Sequence, residues 1–332
     1  MFHRLGCHLV SVVFLAGCLL GSVQAAPLLH FGIISTESRA NLESVWQPLL
    51  DDMAKATGFE VQAVYVSDYA ELIDGLGEQR VDVAWLGNMA AVEAVDRSDA
   101  EVFAQTTLND GLNGYQGLLI TRKDSPINTV DDLLRPARHL SFGNGDPNST
   151  SGYLVPGYYV FSRQHIDPAT AFKRTVNQNH QANALSVAKG ELDAATFNSD
   201  NWERLGLTHP QQLAQLKIIW KSPLIPADPI LWRKSLPAAS KATLRAFFLG
   251  YGTTDREKSV LKGLQQTRFT ASSNEQLLPI RQLRLFKQRT EVAASNLSVD
   301  DKTRRLREID EALARLQDRI NVLEQRTPLK SP

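Results

Sequence analysis

The chain has 332 residues, 43% of them apolar and 22% charged, the balance of an ordinary globular protein long enough for two domains. Lys plus Arg and Asp plus Glu each number 36, so no net field recruits nucleic acid or an anionic surface. A small buried site for a solute fits that balance better than a groove for a polyanion.

Residues 1–25 are set apart. His3 and Arg4 precede an apolar run over residues 9–20, and Gly21, Ser22, Val23, Gln24 and Ala25 then lead to Ala26 and Pro27. This is the pattern of a secretory signal peptide cut after Ala25, and the run is too short for a membrane anchor. Leu15-Ala16-Gly17-Cys18 also reads as a lipobox, so the alternative is a chain lipidated at Cys18. Cys7 and Cys18 are the only cysteines. The processed chain is therefore expected to hold no disulfide and no cysteine metal site, which suits an oxidising compartment.

Residues 28–34 read as a strand, and Ser38 opens a helix with Leu42, Val45, Trp46, Leu49, Leu50 and Met53 at helical spacing, closed by Gly58. Pro48 is expected to kink it. Strands over 61–66, 81–86 and 102–106 alternate with helices beginning at Asp68-Tyr69 and over 89–95, the pace of βαβ units in a parallel sheet. A strand over 118–121 is expected to carry the chain into a second lobe. There 131–134 starts a helix, 172–176 and 192–197 are strands, 180–189 is a helix and 216–220 a further strand. Arg80-Val81-Asp82-Val83-Ala84-Trp85 and Glu191-Leu192-Asp193-Ala194-Ala195-Thr196 each follow a helix, a short echo between two similar lobes. Pro223 to Pro229 reads as a rigid return to Ile230-Leu231-Trp232 in the first lobe. The division expected is a leader 1–25, a first lobe 26–121 and 227–295, a second lobe 122–226, and a C-terminal helix and tail 296–332.

The stretch Gly143-Asn144-Gly145-Asp146-Pro147-Asn148-Ser149-Thr150-Ser151-Gly152 carries the chemistry. A strand over 139–142 ends at glycines, three hydroxyl residues follow, and an apolar helix begins at Tyr153, which Pro156-Gly157 should kink or stop. Ser149 or Thr150 is a natural N-cap. The unpaired N–H groups of a first helical turn, its positive dipole end and three hydroxyls can hold an oxyanion without Lys or Arg. A nucleotide-hydrolase phosphate loop is excluded, since no Lys follows the glycines at the required spacing. At the other end of the chain Leu306, Ile309, Leu313, Leu316, Ile320 and Leu323 form a heptad seam, with Ser298 and Asp301 as a capping pair and Pro328 as the stop. That seam either packs on its own lobe or pairs with its twin in a homodimer.

Residue by residue, the 143–152 stretch resembles the oxyanion-binding loop of phosphonate-binding proteins of ABC importers. Phe31-Gly32-Ile33-Ile34-Ser35-Thr36-Glu37-Ser38, residues 90–97 (AAVEAVDR), Ser125-Pro126-Ile127-Asn128, residues 172–177 (FKRTVN) and 221–229 (KSPLIPADP) resemble the same family, and residues 278–283 (LPIRQL) do so more loosely. The resemblance implies a type II periplasmic binding protein: two α/β lobes joined by a two-strand hinge that closes on a ligand, working with a membrane permease and without a cofactor. It places eight residues at the ligand. Tyr69, Tyr115, Ser149, Thr150, Ser151 and His180 would meet the phosphonate group, and Asp200 and Asp228 an amino group. Most of these follow strands, where open α/β sheets bind ligands. Asp200 departs from the family, in which a glutamate is usual. Two carboxylates beside a bare dianion are costly, so they argue for a ligand carrying an ammonium, and by resemblance for 2-aminoethylphosphonate.

Plainer readings stand beside these. The three hydroxyls cap a helix, His180 caps a surface helix, the tyrosines pack, and the aspartates cap helices or make turns. A periplasmic phosphatase or phosphonate hydrolase would need a metal cluster or an activated nucleophile. Beyond the leader His30, His139, His165, His180 and His209 are scattered with no HxH or HExxH spacing. A ligand without an amine, such as phosphate or phosphite, and a sensor kinase as partner are the remaining alternatives.

Overall fold

A computed structural model describes residues 26–108 and 114–326. The signal peptide, the lipobox and Pro328 lie outside the described residues. The first lobe is laid down as β1 (Leu28–Ile33), α1 (Arg39–Thr57), β2 (Glu60–Tyr65), α2 (Tyr69–Gly77), β3 (Val83–Trp85), α3 (Asn88–Arg97) and β4 (Ala100–Leu108). The second takes β5 (Gly114–Arg122), α4 (Val130–Leu134), β6 (Ser141–Asn144), α5 (Pro168–Ala171), β7 (Arg174–Asn177), α6 (His180–Ala188), β8 (Ala194–Asn198), α7 (Ser199–Thr208), α8 (Pro210–Leu213) and β9 (Leu216–Pro226). The chain then returns through β10 (Pro229–Arg233), α9 (Ala238–Gly250), α10 (Asp255–Gly263) and β11 (Gln266–Ala271), and ends in α11 (Leu278–Ala294) and α12 (Val299–Arg326).

Two sheets result, in the orders β11-β4-β10-β3-β1-β2 and β7-β6-β8-β5-β9. They are mixed where the sequence pointed to parallel pairing. β1, β2 and β3 pair in parallel, but β10 returns antiparallel to both β3 and β4, because it re-enters from the other lobe. β1 lies between β2 and β3, and β6 between β7 and β8, so each sheet has a topological switch point, the place where open α/β sheets bind ligands.

Both crossings differ in extent from the sequence expectation. The division at residue 121 puts β5 in the first lobe, whereas β5 pairs from Gly114 onward with β8 and β9 of the second sheet. β9 does not stop at Trp220 either. It pairs with β5 as far as Pro226, with Pro223 inside it, and this is tolerated because β9 is an edge strand whose outer N–H groups have no sheet partner to serve.

Ser38 caps α1, its hydroxyl accepting from Asn41 N, and Gly58 closes it in the left-handed region at φ 74°. Pro48 does not divide the helix, which runs unbroken from Arg39 to Thr57. Leu42, Trp46, Leu49, Leu50 and Met53 are buried against Phe31, Phe103, Trp232 and Phe248, each such side chain contributing about 1.5–3 kcal/mol of transfer free energy. The opposite face of the sheet buries α2 and α3, and it also takes in Leu154, Val155, Tyr115 and Ile225 from the second sheet's elements, so the core is continuous past the hinge. Pro156 and Gly157 do not stop the helix that Ser149 caps. Residues Thr150–Leu154 and Gly157–Phe161 are wound as wide turns, and helical structure persists to Gln164. α12 packs on α11 through Arg289–Asp310 at 2.7 Å and Gln282–Gln317 at 3.0 Å, with its heptad-seam leucines and isoleucines half-buried.

Candidate ligand-binding site

The turn after β6 is built for close approach. Gly145 N donates to Gly152 O at 2.9 Å, and a Cβ on Gly152 would sit 2.8 Å from Ser149 Oγ, 3.1 Å from Gly145 Cα and 3.2 Å from His180 Cε1. Ser149 is the N-cap, its Oγ accepting from Gly152 N at 3.0 Å. Leu154 N reaches back to Ser149 O at 3.0 Å, the five-residue spacing of a π turn, a distortion often retained at functional sites. Ser149, Thr150 and Ser151 are all 2–3% exposed. The three hydroxyls are more than caps, since only Ser149 accepts from its own helix; Thr150 and Ser151 bond to other elements.

Ser151 Oγ lies 3.4 Å from His180 Nε2 and accepts from Asn198 Nδ2 at 3.2 Å. His180 opens α6, but Asn179 is its cap and the ring is buried, not a surface feature. Burial pulls the imidazole down to about 4, so it is neutral at pH 7, and its Nδ1 is buried without a hydrogen-bonding partner. Tyr69, at the start of α2, shares a hydrogen bond with the Ser149 hydroxyl; burial, then Asp146 and Asp228, hold its phenol in the protonated form. Thr150 Oγ1 accepts from Met89 N of α3 at 2.8 Å.

A second cluster lies along the same cleft. Tyr115 donates its phenol proton to Asp228 Oδ1 at 3.1 Å, where Asn88 Nδ2 also approaches at 3.3 Å. One phenol has one proton, and in this arrangement it goes to a carboxylate. Burial pushes the Asp228 carboxyl well up, Asp200 adds to the rise, and the Tyr115 bond opposes it. Asp200 accepts from Ser199 Oγ at 3.3 Å. Tyr115, Asp200 and Asp228 line a cavity of about 60 Å³ with Trp46, Trp85, Glu37 and Arg204. The eight candidates fall into two groups, Tyr69, Ser149, Thr150, Ser151 and His180 around the turn after β6, and Tyr115, Asp200 and Asp228 at the cavity, and the charge of Asp228 reaches Tyr69 between them.

Sequence reasoning missed Asn88, Asn198 and Asp146. Asn88 is fully buried and bridges Pro226 O at 2.7 Å to Asp228 and Gln276, tying the hinge to α3. It follows β3 as Asn198 ends β8, so the rule that selects residues after strands could have found both. Asp146 accepts from Tyr69 N at 3.2 Å across the cleft, for which the sequence offers no local signal. Among the described residues no group of three or more His, Cys, Asp or Glu is arranged to hold a metal ion, and no helix is long and apolar enough to cross a membrane.

Residues 31–277 match the model of the family described as ABC transporter, phosphonate, periplasmic substrate-binding protein. This chain belongs to that family. The phosphonates-binding periplasmic protein of Escherichia coli is 52% identical over 294 residues, spanning 88% of this chain and 86% of that protein. A binding protein component of an ABC phosphonate transporter from Pseudomonas aeruginosa superposes with a TM-score of 0.89 at 54% identity, over 90% of this chain and 99% of that one. A phosphate-import protein of Mycolicibacterium smegmatis is more distant, 28% identical over 67% of this chain and 74% of its own length. As a phosphonate-family substrate-binding protein, the chain has the two-sheet periplasmic binding fold, works in the periplasm, and serves a membrane permease as a transport component and not as an enzyme.

Proposed function

We propose that this binding protein captures 2-aminoethylphosphonate in the cleft between its lobes and hands it to the permease. The observation that carries the reading is the carboxylate pair, Asp228 with Asp200 close enough to raise it, both lining the same cavity as Tyr115. Uncharged donors suit the phosphonate oxygens: the hydroxyls of Ser149, Thr150 and Ser151, the ring N–H of His180, and the phenol of Tyr69. A zwitterion satisfies both ends at once, since its ammonium compensates carboxylates that would repel a bare dianion. Tyr115 is assigned a linking role, its proton held by Asp228 until the ammonium competes for that oxygen. The leader is read as a signal peptide removed after Ala25, and the half-buried seam of α12 as the contact surface of a homodimer.

Calorimetric titration of the chain lacking residues 1–25 with 2-aminoethylphosphonate, methylphosphonate and inorganic phosphate tests the ligand. The amine-bearing phosphonate is expected to bind at least about a hundredfold more tightly than either of the others, the worth of one charge-assisted contact to a desolvated carboxylate. Equal affinities would remove the ammonium from the reading and leave a general phosphonate or phosphate binder.

A further inference from the structure

The lobes are also joined across the mouth of the cleft by bonds that run directly from protein to protein. Ser38 N, at the cap of α1, donates to Gln181 Oε1 at 2.7 Å, and Gln181 N donates to Thr36 O at 3.3 Å. Tyr69 N in α2 donates to Asp146, and Met89 N in α3 to Thr150. All three first-lobe helices that begin at the cleft therefore have an N–H near their start met by an acceptor of the second lobe. The fourth link is ionic. Glu37 of the first lobe and Arg204 of α7 pair at 3.4 Å, with side chains only 8% and 12% exposed, and Arg204 Nη1 donates to Gly263 O at 2.9 Å.

We propose that the Glu37–Arg204 pair, supported by Gln181, is a latch that sets the closing equilibrium of the cleft and so scales affinity for every ligand alike without touching any of them. Separating the lobes would return both charges to water, and closing strips that water away, so each needs the other in the closed form. Burial accordingly raises the Glu37 carboxyl, with Arg204 opposing the rise. Removing one partner leaves the other buried and uncompensated only when the lobes are shut, a cost that falls on closure. Apparent affinity is the intrinsic affinity multiplied by the share of closed, competent protein. A residue in contact with the ammonium alters discrimination between ligands; a latch alters the factor common to all. Arg204 stands one helical turn past Asp200, so the distinction is needed at this position.

The inference uses the interlobe cleft of the proposed function but not the ammonium, and the test separates the two. Glu37→Gln keeps the length of the side chain and an acceptor for Asn41 Nδ2, which donates to Glu37 at 3.2 Å. Gln181→Ala removes a different part of the latch and guards against a folding defect in the first variant. Each is titrated with 2-aminoethylphosphonate, methylphosphonate and inorganic phosphate, and ligand release is followed by stopped-flow fluorescence of Trp46 and Trp85 in the cleft. The expected result for Glu37→Gln is a loss of about tenfold for all three ligands, carried by faster release, with their ratios as in the unaltered protein. Gln181→Ala should show a smaller loss of the same form. A loss confined to the amine-bearing ligand, a loss carried by slower association, or no loss in either variant would overturn the latch. Equal binding of all three ligands by the unaltered protein would overturn the ammonium assignment alone.

Discussion

Ser149, Thr150, Ser151 and a neutral His180 make one end of the proposed site from hydroxyls and an imidazole, whereas the other end is made from Asp200 and Asp228 with Tyr115. The first end works by shape. Two glycines let the chain fold back on itself, and the hydroxyls are bonded to neighbours that fix their positions. The second end works by charge held out of water, and its properties follow from burial and from the distance between carboxylates. A shape-built end should fail when an atom is added and be indifferent to the rest of the ligand. A charge-built end should respond to isosteric neutralisation, to pH and to what the ligand carries beyond its phosphorus.

The largest expected effect lies at the shape-built end. In Gly152→Ala the new methyl would stand 2.8 Å from Ser149 Oγ, closer than a Cβ approaches an oxygen, and 3.1 Å from Gly145 Cα, tight enough that the backbone of the turn must give by a few tenths of an ångström. Overpacking of this kind costs about 1–3 kcal/mol, and here it displaces the donors themselves. Affinity for 2-aminoethylphosphonate and for methylphosphonate should fall together by up to about a hundredfold in calorimetry, since about 1.4 kcal/mol is tenfold. Retained affinity for both ligands would show that the turn after β6 is not where the phosphonate group sits.

Much of this architecture is legible in the sequence, and the parts that are not have a common cause. Ser149 as an N-cap and the stripe of Leu42, Trp46, Leu49 and Met53 rest on spacing within a few residues, which sequence displays directly. The bond from Met89 N to Thr150 Oγ1 joins residues 61 apart, and no local pattern announces it. The extent of β9 was hidden for a different reason. Pro223 reads as a break until the sheet order shows β9 at an edge, where a missing N–H costs nothing. The candidate residues were found mainly through family resemblance. The bond between Tyr115 and Asp228, which couples two residues expected to serve opposite ends of the ligand, could be seen only in three dimensions.

At the charge-built end Asp228→Asn is the discriminating change. Asparagine keeps an oxygen to accept from Tyr115 and Asn88 but carries no charge to meet an ammonium. Affinity for 2-aminoethylphosphonate should fall about thirtyfold, or about 2 kcal/mol, the worth of a charge-assisted hydrogen bond, while methylphosphonate changes by less than about twofold. The pH dependence has the same origin. Burial, then Asp200, raise the Asp228 carboxyl, so it takes up a proton above the usual carboxylate range. An ammonium beside it favours the charged form, and binding therefore releases that proton where the free carboxyl holds one. The preference for the amine-bearing ligand should be full above the raised pKa and decline as pH falls through it, and titrations at stepped pH should find the decline missing in Asp228→Asn. A parallel loss of both ligands in that variant would make Asp228 a structural residue.

The smallest change is also the most informative about ligand length. The family resemblance implies a glutamate at the position of Asp200, which is one methylene shorter and accepts from Ser199 Oγ at 3.3 Å. If the ammonium of 2-aminoethylphosphonate reaches it through a bridging water, Asp200→Glu replaces that water with a direct contact and removes its immobilisation, a gain of at most about 1 kcal/mol. Calorimetry should then show about threefold tighter binding of 2-aminoethylphosphonate and no change for methylphosphonate. Weaker binding of the two-carbon ligand, together with tighter binding of 3-aminopropylphosphonate by the unaltered protein, would mean that the shorter side chain is fitted to a longer aminoalkylphosphonate. In either outcome the neutral end is unaffected, because the phosphonate group stays against Ser149, Thr150 and Ser151 and only the far end of the ligand is being measured.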